Sequence, residues 1–371
     1  MDFDFTDDQE QLRDAVRKYV DKGYTFDRRR SIEAAGGFDR KAYAELAELG
    51  LAGLCTGEAY DGMGMGPVDC MVVQEELGRG LVLEPLMQAY ICSPVIENFA
   101  PEALKKQWLP RIAAGTAIVV LAQQERKARY RAEVCDATAT QTGNSYTVTG
   151  TKNVVAIGDQ ADAYLVPALL GSQMALFLVE RAATGVTTRT YGCQDGSRAA
   201  DVLLVNAAAQ LVTTDGLTAL ELAIDIGINS TCATAVGVMD KTLAITVEYM
   251  NTRKQFGATL ATFQALRHRV ADVKMQLELG RSMAYFAALK LGAPAPERRR
   301  AMAQAKYQLC TSMRYVGQQA VQLHGGIGVT DEYIVSHYFK KLTQLEMAFG
   351  DSLHQLGEVS ARMQDTAGVF A

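Results

Sequence analysis

Across the first 115 residues apolar and polar positions recur with a helical period. Thr6 and Gln9 have the spacing of a capping box, and Leu12, Val16 and Tyr19/Val20 follow on one helical face. Further amphipathic stretches cover 40–50, 68–80 and 101–113. Between Tyr60 and Pro67 the glycine-rich run predicts a loop, which feeds a helix carrying Glu75, Glu76 and Leu77. From Ala117 to about Val205 the period changes. Short runs such as AIVVLAQ, SYTVTGTKNVV, AYLVPALL, MALFLVE and VLLV are β-branched and apolar, separated by Gly, Asn and Asp, which is strand-and-turn composition. Thr142-Gly143-Asn144 predicts a hairpin turn.

After Asp215 the helical period returns. The stretch 217–252 has no proline, and 264–291 carries Leu266, Val270, Val273 and Leu277 as a seam suited to helix-on-helix packing. Gly292-Ala293-Pro294-Ala295-Pro296 breaks the chain, and another long helix runs to about Leu323. The order is helices, β unit, helical bundle, with no βαβ alternation and no internal repeat. It predicts an α+β fold with an N-terminal helical domain (1–115), a β-domain (116–212) and a C-terminal helical bundle (213–371) of three or four long helices.

Composition narrows the class. The 371 residues are 49% hydrophobic and 21% charged, as in globular domains, and the length calls for more than one packed unit. A net charge of −5 offers no basic field for nucleic acid. The seven cysteines are scattered without metal-type spacing, so no metal site is expected and reduced thiols fit a reducing compartment. The acidic start MDFDFTDDQEQ is unlike a signal peptide, and the apolar runs are read as too short for a membrane span. A cytoplasmic protein is the expectation.

Three clusters near the C-terminus carry chemistry: Arg253-Lys254-Gln255-Phe256-Gly257, Phe263-Gln264, and Gln322-Leu323-His324-Gly325-Gly326-Ile327-Gly328. Arg offers a fixed fork of donors to phosphate oxygens, glycines admit close approach of a ligand, and Gln can hold an adenine or ribose edge. Together they suit a dinucleotide. Singly each has a plainer reading: RKQFG as a helix end with its glycine stop, HGGIG as a turn between helices.

In combination and order the clusters resemble the acyl-CoA dehydrogenase family. The segment TVEYMNTRKQFGATLATFQALRHRVAD is characteristic of that family, as is QLHGGIG further on, and EELGRGL at 75–81 matches its N-terminal pattern. The resemblance spans the whole three-part architecture, implying a four-helix bundle for the C-terminal part, and implies FAD as cofactor and an acyl-CoA thioester as substrate. It places Arg253, Gln255, Phe256, Gln264, Gln322, Gly325 and Gly326 where the family grips the pyrophosphate and adenosine of FAD held mainly by a neighbouring subunit.

The resemblance also exposes departures. Members remove a proton α to the thioester with a glutamate while the β-hydrogen leaves as hydride to flavin, and a carboxylate in an apolar pocket has its pKa raised toward that task. The segment matching the usual base is Ala348-Phe349-Gly350-Asp351, with Phe349 in the base position. The alternative position on an earlier helix falls at Gly227, between Ile226 and Ile228. Asp225 lies about 200° from Gly227 on a helix, so it and Glu221 read as N-cap or surface acids, and Glu346 and Asp351 are candidates of the same kind. Where relatives have a TEPxxGSD-like loop against the flavin ring, this chain has Gln123-Gln124-Glu125-Arg126-Lys127-Ala128-Arg129-Tyr130-Arg131; where they have Trp-Ile-Thr/Ser, it has Val154-Val155-Ala156. Arg126, Lys127 and Arg129 are candidates for a CoA phosphate, with a solvated loop face as the plainer reading.

An adenosine grip without base or ring contacts implies a chain whose flavin site is completed by another. The resemblance points to one subunit of a heteromeric acyl-CoA dehydrogenase, an α2β2 heterotetramer of the branch that acts on steroid side chains and other bulky acyl-CoA thioesters in lipid metabolism. The alternatives are a self-sufficient dehydrogenase or oxidase with a relocated base such as Asp225 or Asp351, and a non-enzymatic scaffold without flavin.

Overall fold

The computed structural model describes residues 5–363. The N-terminal helices are α1 (Asp7–Gly23), α2 (Phe26–Ala34), α3 (Arg40–Glu48), α4 (Pro67–Arg79), α5 (Leu86–Phe99) and α6 (Glu102–Ala113). The strands β1 (Val119–Leu121), β2 (Thr138–Thr142), β3 (Ser145–Ala156), β4 (Ala163–Leu170), β5 (Gln173–Glu180), β6 (Val186–Gly192) and β7 (Arg198–Thr213) follow. The C-terminal part is α7 (Gly216–Thr252), a small hairpin of β8 (Lys254–Gln255) and β9 (Ala258–Thr259), then α8 (Gln264–Lys290), α9 (Ala295–His324), α10 (Ile334–Met347) and α11 (Ser352–Ala361). The helical, sheet and helical parts occur in the order expected from the sequence. By contacts the chain divides into two compact units: Met1–Arg30, Pro67–Val82 and Ile228–Ala371, so far as these are described, and Ser31–Gly66 with Leu83–Gly227.

In the first unit, the capping box forms as the sequence predicts: the Thr6 hydroxyl accepts from the Gln9 N–H while the Gln9 side chain accepts from the Thr6 N–H. The Glu75-Glu76-Leu77-Gly78 stretch of α4 explains much of the packing. A Cβ at Gly78 would lie 2.3 Å from the carbonyl oxygen of Thr234, and one at Gly237 on α7 would lie 1.7 Å from that of Glu75. Only glycine lets two helix backbones approach this closely. The two glutamates are buried there, and a buried carboxylate needs cations. Glu76 receives Arg17 at 2.6 Å and Arg79 at 3.1 Å, while Glu75 pairs with Arg281. Asp240 closes the network through Arg79 at 2.6 Å and Arg281 at 3.4 Å, tying α1, α4, α7 and α8 together.

One expectation is corrected. Gly216–Thr252 is long and apolar enough, by length and composition, to cross a membrane, with a window of mean hydropathy 1.4. That window is 89% buried inside the protein. A helix apolar on all sides is a core helix when protein surrounds it.

In the second unit the strands run β1-β4-β2-β3-β7-β5, with β6 on β7 and β5 also paired to β4, so the sheet closes on itself. Closure leaves few bare edges. The predicted hairpin is present: Thr142 pairs with Ser145 across Gly143-Asn144, and Gly143 has φ 61, as a two-residue turn with glycine first requires. Inside the sheet, Lys152 is fully buried on β3 and its Nζ lies 2.5 Å from Glu125 Oε1 and 2.7 Å from the carbonyl oxygen of Pro167. Glu125 also accepts the N–H groups of Asp136 and Ala137. Burial alone pushes this carboxyl up; the Lys152 ammonium and the two N–H groups reverse that and hold it below the usual carboxylate range. The pair pins both ends of the 126–136 loop.

Removing one partner of such a pair strands the other charge, so Lys152→Met should cost about 3–5 kcal/mol in denaturant unfolding, and Lys152→Met/Glu125→Gln should recover most of it. Equal losses in the single and double variants would show that the ion pair does not hold the loop.

Candidate functional site

The RKQFG cluster is a hairpin tip rather than a helix end. The α7 helix stops at Thr252, Lys254 pairs with Thr259 and Gln255 with Ala258, and Phe256-Gly257 make the turn with φ 54 and 79. Left-handed backbone is unfavourable for a phenylalanine, and a large apolar side chain gains by burial. Phe256 nevertheless stands 92% exposed. Arg253 and Gln255 are exposed beside it. The Phe256 ring meets Phe263 edge-on at 6.3 Å, which fixes the tip against the start of α8, where Gln264 is exposed.

The second cluster lies alongside. Tyr249, in the last turn of α7, stacks on His324 at 4.4 Å and its hydroxyl donates to the His324 carbonyl oxygen at 3.3 Å, with Tyr333 at 5.3 Å from the His324 ring. This contact joins the stem of the hairpin to the end of α9. Gln322, Gly325 and Gly326 are exposed there. A Cβ at Gly257, Gly325 or Gly326 would meet nothing within 4 Å, so the glycines line open space, whereas Gly328 is packed 2.9 Å from the Val321 carbonyl oxygen. Thus the fold brings all the sequence-selected residues of this group to one end of the bundle. An exposed guanidinium, amide side chains and bare glycine backbone are a donor set that fits a phosphate-bearing nucleotide.

The turn after α10 is built differently. Phe349 has φ 54 and Gly350 φ 109. The fully buried Lys306 donates to the carbonyl oxygens of Leu345 (2.9 Å), Glu346 (2.9 Å) and Gly350 (3.1 Å), and buried Gln355 donates to that of Phe349 at 2.8 Å. The flanking acids are engaged: Glu346 pairs with Arg314, and Asp351 caps α11 by accepting the His354 N–H at 2.9 Å. The position that matches the family base therefore sits on a firmly held turn and carries a side chain that cannot take a proton. On α7, Gly227 is buried, and Asp225 is only 1% exposed in mid-helix. The expectation of an N-cap or surface acid at 225 is thus wrong, because α7 is enclosed nearly all round. Glu221 is half-buried on the same helix.

On the β unit, Arg126, Lys127, Arg129 and Arg131 are exposed, with Lys127 paired to Asp136 at 3.0 Å and Arg129 over the Tyr130 ring at 5.0 Å. Val154 sits in an irregular stretch of β3 with φ 53, 53% exposed, its N–H donating to the Tyr191 hydroxyl at 3.1 Å. Neither it nor Ala156 offers a side-chain donor to a ring. Among the described residues no group of three or more His, Cys, Asp or Glu is placed to hold a metal ion. Sequence reasoning missed Lys306, although its place between Met302, Leu309 and Met313 on one helical face marks a lone cation at a core position.

His324 gives a testable consequence. Burial holds its imidazole below the usual value of 6.5, although the Nδ1–H bond to the Ala320 carbonyl oxygen (2.8 Å) opposes the shift. The unfolded chain protonates first, so the stability this residue contributes is complete above about pH 6.5 and is lost as the pH falls below it. Unfolding midpoints measured from pH 7 to 5 should fall, and the slope should be shallower in His324→Phe. An unchanged slope would show that His324 does not contribute to this pH dependence.

Comparison with known proteins identifies the family. Residues 6–116 match the model of the acyl-CoA dehydrogenase N-terminal domain and residues 214–364 that of the C-terminal domain. The acyl-CoA dehydrogenase FadE27 of Mycobacterium tuberculosis is 27% identical over 378 residues, covering 99% of this chain and 100% of that protein. Among solved structures, the ChsE4-ChsE5 complex from Mycobacterium tuberculosis superposes with a TM-score of 0.91 at 27% identity, covering 99% of this chain and 100% of the matched one. A variant of Tcur3481-Tcur3483 steroid ACAD gives 0.91 at 26% identity, covering 97% and 99%. The family, with a structural neighbour described as an FAD-dependent dehydrogenase at 25% identity and a TM-score of 0.87, supports FAD as the cofactor. Both terminal domain models, the full-length relatives and the shared architecture agree that the chain belongs to the acyl-CoA dehydrogenase family.

Proposed function

We propose that this chain is one subunit of a heteromeric FAD-dependent acyl-CoA dehydrogenase, α2β2 in composition, which desaturates a bulky acyl-CoA thioester of the steroid side-chain kind. In this reading it supplies the adenosine and pyrophosphate half of a flavin site, through Arg253, Gln255, Phe256, Gln264, Gln322, Gly325 and Gly326, to a homologous partner that carries the ring contacts and the base. The observation that carries it is the contrast between two ends of the same bundle. The hairpin tip holds Phe256 92% exposed in left-handed backbone beside open glycines, while the turn at 345–351 is rigidly held with phenylalanine in the base position.

Bound flavin supplies the hydride acceptor for the reaction. The chain's own part is binding and orientation. Arg253 presents two parallel N–H donors to phosphate oxygens, and Gln322 and the Gly325–Gly326 backbone offer polar edges in space that no side chain fills. Proton removal at the carbon α to the thioester needs a carboxylate that Phe349 does not provide, so it falls to the partner. Two solved structures with this fold, described as the ChsE4-ChsE5 complex and Tcur3481-Tcur3483, each pair two named chains, which supports an unequal assembly here.

Asp225 favours a second reading, a self-sufficient dehydrogenase or oxidase. It is a buried carboxylate two residues from the alternative base position. A carboxylate so enclosed is a candidate general base.

Two measurements test these readings. In the complex of this chain with its partner, Arg253→Ala should weaken flavin retention about 10- to 100-fold by removing a charge-assisted phosphate contact, leaving the fold intact; undiminished retention would contradict the half-site assignment. Asp225→Asn should leave the turnover of the complex within a few-fold. A loss of about two orders of magnitude or more, with unchanged substrate binding, would instead make Asp225 the base.

A further inference from the structure

A thiol, a carboxylate and an amine meet at the base of the 126–136 loop. The Cys135 sulfur, half-buried just ahead of β2, lies 3.9 Å from the Lys152 Nζ and 3.6 Å from Glu125 Oε1. Glu125 Oε1 is itself 2.5 Å from that Nζ. The sulfur also touches the carbonyl oxygens of Pro167 at 3.5 Å and Ala137 at 3.6 Å. The ion pair explains why Glu125 and Lys152 are together, but it does not require a thiol beside them.

Cysteine reacts as the thiolate, so its surroundings decide its chemistry. Burial pushes the Cys135 thiol up, and the Lys152 ammonium opposes the shift. The thiol stays inert until a base takes its proton, and the Glu125 carboxylate accepts its S–H. Once oxidised to a sulfenic acid, the sulfur becomes an electrophile that condenses with a neighbouring nucleophile. Here that neighbour is the Lys152 nitrogen. Cys310 lies closer to a lysine, 3.3 Å from the Lys306 Nζ, but is fully enclosed, whereas Cys135 is partly open to solvent.

We propose that Cys135 and Lys152 form a sulfur–nitrogen cross-link, driven by hydrogen peroxide and reversed by thiols. In the first step Glu125 takes the thiol proton and the sulfur attacks one peroxide oxygen. The O–O bond breaks, and the proton passes from Glu125 to the departing hydroxide, giving Cys135 sulfenic acid and water. In the second step Lys152 gives one ammonium proton to Glu125, and the freed nitrogen attacks the sulfur. The S–O bond breaks, and the hydroxide leaves with a second nitrogen proton as water. Thiol, amine and peroxide thus become a cross-link and two waters. The buried ammonium and carboxylate become a neutral link and a neutral carboxyl, so no unpaired charge is stranded in the sheet. An excess of a small thiol reverses the step by reducing the S–N bond to thiol and amine while forming its own disulfide. The link turns the ionic pin of the loop into a covalent one. The inference does not rest on the flavin reading.

The test is peptide mapping of the full-length chain alone, treated folded with hydrogen peroxide, then denatured and digested with trypsin without reductant. Trypsin cuts after lysine only while the amine is free. In the untreated chain Cys135 lies on the peptide 132–152. After peroxide the expected product is the uncut peptide 132–181, two hydrogens lighter than its unlinked form, with cleavage after Lys152 lost. A small thiol should restore both the mass and the cleavage. Cys135→Ser, which keeps a donor beside Glu125, should be cut after Lys152 with or without peroxide. Cysteine sulfinic or sulfonic acid at 135 with Lys152 still cut, a linked peptide that retains the oxygen, or blocked cleavage in Cys135→Ser would each overturn the inference.

Discussion

The C-terminal part of the bundle is organised around one buried ammonium. Among the described residues no carboxylate is paired with the Lys306 Nζ; three carbonyl oxygens from the end of α10 and the turn beyond it, with the Cys310 sulfur at 3.3 Å, do the work instead. A helix C-terminus presents unpaired carbonyls and the negative end of the helix dipole, so it is a natural seat for a cation that cannot reach water. In exchange the lysine fixes the backbone through Phe349 and Gly350, both left-handed, and Gln355 and Asp351 complete the hold from α11. The turn keeps the firm seating a reacting group would need, with no reacting group on it.

That turn gives the opposite end of the bundle its meaning. On the proposed reading the hairpin at Arg253–Thr259, whose two-residue turn takes Phe256 and Gly257 into left-handed backbone, holds the Phe256 ring out to meet a ligand. Strain and exposure persist where function over-determines them. The contact of Tyr249 with His324 keeps the hairpin stem beside the Gly325–Gly326 turn, so the residues proposed for the grip form one surface rather than scattered motifs. A surface of this kind, open and donor-rich, suits a ligand largely held by something else.

Much of this was legible in the sequence, because the relevant signals are local. The capping box at Thr6, the turn at Gly143 and the change of period at residue 117 each depend on neighbours a few positions apart. The motif residues Arg253, Gln322 and Gly325 stand out in the sequence for a different reason: their types and order are distinctive even where each alone is ambiguous. What escaped depends on pairing across long separations. Nothing local says that Lys152 will find Glu125, or that Lys306 will find the carbonyls of Leu345 and Gly350. Asp225 was misread because a helical wheel gives relative direction but not how many sides of a helix are covered, and α7 is covered on nearly all of them. For the same reason its apolar length was not seen as spanning length until its burial explained it. The hairpin form of Lys254–Thr259 was missed because two-residue strands leave almost no periodic trace.

On the proposed reading this chain lends half a flavin site and a homologous partner completes it. Native mass spectrometry of the chain alone and of its complex with a homologous partner measures this directly, as FAD per polypeptide. The expected result is no FAD on the chain alone and one FAD for each unlike pair in the complex. One FAD on every subunit of the chain purified alone, with dehydrogenation of an acyl-CoA by that preparation, would contradict it.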